Sequence, residues 1–168
     1  MPPPDHVDHI IEQWARERPD VDVSAIAVIG RISRIEQRLQ PLLSRVFARH
    51  GLAWWEYDVL AALRRTGPPF ELTAGQLWSS LMLTSGAITN RLDRLEGRGL
   101  VERLRDPEDA RRVLARLTDA GRATIDDALV DHAANETHLL ASLSDRDRAT
   151  LVRLLRKLHQ GLDEVDDG

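Results

Sequence analysis

The chain has 168 residues, 42 % of them hydrophobic and 30 % charged, which suits one domain with a core of its own and excludes a disordered or fibrous chain. It has no cysteine, so disulfides and thiol-based redox switching are excluded. Its net charge of −4 is unevenly spread: residues 84–122 carry nine Arg against seven acids, while residues 123–168 carry ten acids against five bases. Local charge decides where a polyanion docks, so the one net-positive segment is the place to look for it.

Residues 1–6 are Pro-rich and expected to be disordered. Val7 to Arg18 reads as a short helix with Ile10, Ile11 and Trp14 on one side. Around its start Asp5, His6, Asp8 and His9 cluster, which is read as a solvated segment rather than a metal site. The opening MPPPDHVDH lacks the basic region and apolar core of a signal peptide. No apolar run approaches the roughly 18 residues that cross a bilayer, so a cytoplasmic protein with no membrane partner is expected.

Ser24 is a candidate cap for a long helix that Gly51 stops after His50. Its stripe is Ile29, Ile32, Ile35, Leu39, Leu42, Val46 and Phe47. Trp54 to Arg65 forms a second amphipathic helix with Trp55, Val59, Leu60 and Leu63 apolar, broken by Gly67-Pro68-Pro69. Thr73 with Gln76 is a capping box for a short helix whose apolar face is Ala74, Leu77 and Leu81. After a break at Met82-Leu83, Thr84 or Ser85 caps a further helix with Ile88, Leu92 and Leu95 facing inward. Two short helices across a tight turn form a helix-turn-helix.

The outer face of the second of these helices carries Ser85, Thr89, Asn90, Arg91 and Arg94. These side chains reach phosphates and base edges: Arg suits guanine, Asn suits adenine, Ser and Thr suit either. Gly97 and Gly99 end the helix. Two strands follow, Leu100 to Arg105 and Val113 to Leu117, joined by the turn residues Asp106-Pro107-Glu108-Asp109. A hairpin with Arg105, Arg111 and Arg112 near its tip, just after a helix-turn-helix, is a wing whose arginines fit a minor groove. Thr118 then caps a long helix from about Asp119 to Leu143. Ser144 starts a last helix, with Leu151, Leu154, Leu155, Leu158 and Leu162 as its stripe.

The expected fold is mostly α with a small β-hairpin wing: a winged helix-turn-helix with long N- and C-terminal dimerisation helices. Residues 1–20 are a flexible N-terminus and short helix, 21–51 and 119–165 a helical dimerisation region, and 52–118 the DNA-binding unit. A single small winged unit cannot bury all the long stripes, so a two-fold homodimer is expected, reading a pseudo-palindromic duplex with half-sites on the order of 10 bp apart.

The run LTSGAITNRLDRLEGRGLVERLRDPEDARRVLARLT closely resembles the MarR family of winged-helix transcriptional regulators. Asp93, Leu95, Gly99, Leu100, Val101, Arg103, Asp106, Pro107, Asp109, Arg111, Leu117 and Thr118 match the family pattern in order, with Ala110 where the family usually has its first wing arginine. The resemblance implies DNA-binding residues Thr84, Ser85, Thr89, Asn90, Arg91, Arg94, Arg105, Arg111 and Arg112, a triangular dimer, and a repressor released by a small aromatic or phenolic ligand. The N-terminal helix with Trp14, together with Asp58 and Arg91, is similar to the branch responding to urate-like aromatic anions. Trp14, Trp54, Trp55, Asp58 and Arg91 are therefore the candidate ligand residues. Catalytic motifs are absent: no Gly-x-Ser-x-Gly, phosphate loop or His-Glu-x-x-His occurs, so neither an enzyme nor a cofactor or metal is expected. A rival reading is a winged-helix ligand-binding or protein-interaction module that does not bind DNA.

Overall fold

The computed structural model describes residues 3–81, 85–107, 109 and 112–166, with the backbone alone for 85–87 and 164–166. In chain order the elements are α1 (His6–Glu17), α2 (Ile26–Arg49), α3 (Trp54–Arg64), β1 (Glu71–Thr73), α4 (Ala74–Ser80), α5 (Ser85–Gly97), β2 (Val101–Arg105), β3 (Val113–Leu117), α6 (Asp119–Leu139) and α7 (Asp145–Asp166). Among the described residues no helix is long and apolar enough to cross a membrane.

Helix α3 is the centre of the core. Val59, Leu60 and Leu63 are wholly buried against Leu77 of α4, Ile88, Leu92 and Leu95 of α5, Ala115 of β3 and Ile125 of α6. The stripes expected of the helix-turn-helix thus face one another. Two helices end alike. Leu52 N–H bonds Phe47 C=O and Gly51 N–H bonds Ala48 C=O, while Leu100 N–H bonds Leu95 C=O and Gly99 N–H bonds Glu96 C=O. Gly51 and Gly99 take φ of 66° and 69°, the left-handed step this cap requires, and Leu52 and Leu100 fold back into the core.

The sheet has three strands, not the two of a simple hairpin, in the order β1-β3-β2. Both neighbours of β3 are antiparallel to it, with Glu71 opposite Arg116 and Glu102 opposite Arg116 from the other side. Arg116 reaches Glu71 at 2.6 Å and Glu102 at 3.9 Å, tying the three strands together. Helix α6 starts against the end of α5: Thr118 Oγ1 donates to Gly99 C=O at 2.7 Å and accepts from Gly121 N–H at 2.9 Å. It ends at Leu139, four residues short of the expected Leu143.

The segment read as solvated is engaged. Asp5 and Asp8 form a capping box that starts α1. Both carboxylates also bind Arg31 of α2, at 2.9 and 2.6 Å. The Arg31 guanidinium holds the Asp8 carboxyl below its ordinary value. Val7 is buried beside Gly30, so α1 lies on the N-terminal half of α2.

Faces of the long helices stay open. Ile29 and Ile35 of α2 are each 55 % exposed, and Leu151, Val152, Leu154, Leu155 and Leu162 of α7 are exposed as well. Among the described residues, helix α7 has no substantial packing on another element of its own chain. Exposed apolar side chains repeating along one helix mark a face built to be covered.

Candidate nucleic-acid interface

Helix α5 is amphipathic in the required sense. Ile88, Leu92 and Leu95 are buried, which turns Thr89, Asn90 and Arg94 outward and leaves Arg91 half-buried at the edge. Ser85 opens the helix, and its side chain lies outside the described residues. Thr84 and Arg111 also lie outside the described residues.

Arg105 ends β2, exposed and paired in register with Val113. Beyond it, Asp106 N–H bonds Arg112 C=O at 3.1 Å and Arg112 N–H bonds Asp109 C=O at 2.8 Å. The Arg112 guanidinium meets the Asp109 carboxylate at 3.2 Å. Exposed pairs of this kind contribute little and open readily, so Arg112 remains available to a phosphate.

Two arginines that sequence reading left without a role fasten the interface. Arg103 of β2 donates from Nη1 to Asp93 at 2.6 Å and from Nη2 to Thr89 C=O at 3.1 Å. Its own N–H bonds Glu96 at 3.2 Å. Arg98, just past α5, lies 2.6 Å from Glu56 and donates to Gly51 C=O at 3.0 Å. Glu56 also accepts from Ala53 N–H at 2.8 Å, so one buried carboxylate joins the start of α3 to the end of α5. The Asp93 to Arg103 spacing was visible; that strand β2 folds back along α5 was not.

Of the five candidate ligand residues, four share a neighbourhood. The Trp54 indole donates to the Asp58 carboxylate one turn on, and its ring meets Phe47 edge-on at 5.5 Å between centroids. Burial pushes the Asp58 carboxyl above its ordinary value, opposed by that hydrogen bond and by the positive charge of Arg91. The Arg91 and Arg94 guanidinium carbons lie 5.6 and 5.8 Å from the Trp55 ring centroid. Asp58 also lines a cleft of about 430 Å³ between α3 and α6, with Tyr57, Ala61, Arg65, Ile125 and Leu129. Trp14 stands apart, exposed on α1 beside Gln13, Arg16 and Glu17.

The model of the MarR family matches residues 52–113. The HTH-type transcriptional regulator PecS of Dickeya dadantii is 37 % identical over 93 % of this chain and 94 % of its own length. The multiple antibiotic resistance protein MarR of Escherichia coli is 32 % identical over 79 % of this chain and 92 % of its own. Among solved structures, mutant MarR from E. coli complexed with operator DNA superposes with a TM-score of 0.71 at 30 % identity, covering 82 % of this chain and 99 % of that one.

Proposed function

This chain belongs to the MarR family, and from that premise we propose that it works as a homodimeric repressor released from its operator by a small aromatic or phenolic acid. Members of the family are DNA-binding transcriptional regulators rather than enzymes, and so is this chain. The observation that carries the DNA-binding surface is the exposed Thr89, Asn90 and Arg94 face of α5 above its buried stripe. Asn90, Arg91 and Arg94, with Thr84, Ser85 and Thr89 ahead of them, would read base edges in the major groove. Arg105, Arg111 and Arg112 on the wing would engage phosphates or the minor groove.

Residues 21–51 and 119–165 are assigned to dimerisation and 52–118 to DNA binding. The uncovered stripes of α2 and α7 support a second copy as the partner. The ligand reading rests on Trp54, Asp58 and Arg91 supplying a ring, a carboxyl and a guanidinium where α3, α5 and α6 meet. A ligand there acts only through different affinity for DNA-competent and incompetent arrangements of the two lobes.

Selection of duplexes from a random pool, with the mass of the complex measured and the selection repeated in the presence of aromatic acids, tests all three parts. The expected result is an inverted repeat held by two chains and released by an acid. Failure to select any duplex favours the interaction module that does not bind DNA, a monomer on DNA overturns the dimer, and indifference to every acid overturns the ligand.

A further inference from the structure

We propose that Trp55 is a positioning residue for base readout, its indole face holding the guanidinium groups of Arg91 and Arg94 so that their N–H edges point to the groove. The inference rests on the DNA-binding reading above. Arg91 and Arg94 are three residues apart on α5 and so share one face. Trp55 lies in the first turn of α3, half-buried and packed on the core, so its ring is fixed from behind. Both guanidinium carbons are within the roughly 6 Å at which a cation feels the ring's negative face.

The chemistry favours this use. A guanidinium held over a ring is attracted by its negative face without using an N–H donor, so its five donors stay free for a bidentate bond to guanine. Among the described residues neither Arg91 nor Arg94 has a carboxylate within 4.0 Å, whereas Arg98 and Arg103 are both held in ion pairs. The donors of the first two are therefore not spent inside the fold. An arginine already leaning on a ring gives up less rotamer freedom when it meets a base. Because one ring serves both side chains, it also sets their separation, which a base-pair step has to match.

The test compares the wild type with Trp55→Phe and Trp55→Leu on the duplex the wild type selects, on copies with single base-pair changes, and on random duplex, across salt concentrations. Returning rotamer freedom to two arginine side chains is expected to cost Trp55→Leu about 5- to 30-fold in affinity for the selected duplex. Affinity for random duplex and the salt slope are expected to stay unchanged, with Trp55→Phe falling between. Loss of equal size on selected and random duplex, or no loss, overturns the inference while leaving DNA binding intact. A wild type that selects no duplex overturns the DNA-binding reading instead. Should Trp55→Leu fail to fold, Trp55→Phe decides alone: it keeps a ring with a weaker face, so discrimination falls with random binding unchanged, or the inference fails.

Discussion

Arg103 Nη1 on β2 lies 2.6 Å from Asp93 Oδ1 on α5, and the same guanidinium donates to Thr89 C=O. The root of the wing is thereby fastened to the helix that carries the candidate base-reading side chains. A bond to a charged partner contributes about 1.5–3 kcal/mol, and this one is partly exposed, so its share is at the low end. Arg103→Ala is expected to lower stability by about 1 kcal/mol and to weaken binding to every duplex, because helix and wing no longer keep a fixed spacing. Paired urea melts and duplex titrations check this; a melt shift with unchanged affinity would remove Arg103 from the interface.

Gly121 is set so close to the loop after α5 that a β-carbon there would overlap the Leu100 carbonyl oxygen. That oxygen is backbone and also accepts from Thr118 N–H, so it has little room to move. Gly121→Ala is expected to cost about 3 kcal/mol, the upper range for overpacking. Gly97, which has nothing within 4 Å of a built β-carbon, is the control. Gly97→Ala is expected to be neutral or to stabilise α5 by about 0.5–1 kcal/mol through lower backbone entropy. Thermal melts of both variants settle the contrast.

Glu56 is only 6 % exposed, and Arg98 is its charged partner. Removing Arg98 leaves a buried carboxylate with one backbone donor, whereas Glu56→Gln keeps the Ala53 cap and carries no charge. Arg98→Ala is therefore expected to cost about 1–3 kcal/mol and Glu56→Gln roughly half as much. The reverse order in denaturant melts would mean that Arg98 is not what compensates the buried Glu56 carboxylate.

Burial raises the Asp58 carboxyl above its usual 3.8, against the Trp54 hydrogen bond and the Arg91 charge. Between the unfolded and folded values the native chain binds more protons than the unfolded one, so stability falls as pH rises through that window. Asp58→Asn removes the titration. Urea midpoints measured from about pH 4 to about pH 7 are expected to decline less with pH in the variant than in the wild type. Parallel curves would show that Asp58 is well solvated in the folded chain.

Local patterns were enough to read most of the elements. The α5 stripe, the Thr73-Gln76 and Thr118 caps and the Asp106-Pro107 turn act within a few residues, so spacing alone discloses them. The Asp5-Asp8 cap is equally local, but its acids alternate with two histidines in a pattern that also fits a metal site. Strand β1 was beyond such reading: three residues carry no period, and its hydrogen bonds come from β3, more than forty positions later. The same holds for Arg103 beside Asp93, Arg98 beside Glu56, and Trp55 beneath Arg91 and Arg94. Each joins elements whose separation in the chain says nothing about their distance in space. Only the packing of α3 against α5 and the return of β2 along it brought those groups within bonding range, since such interactions die away within a few ångströms while the chain between them runs on.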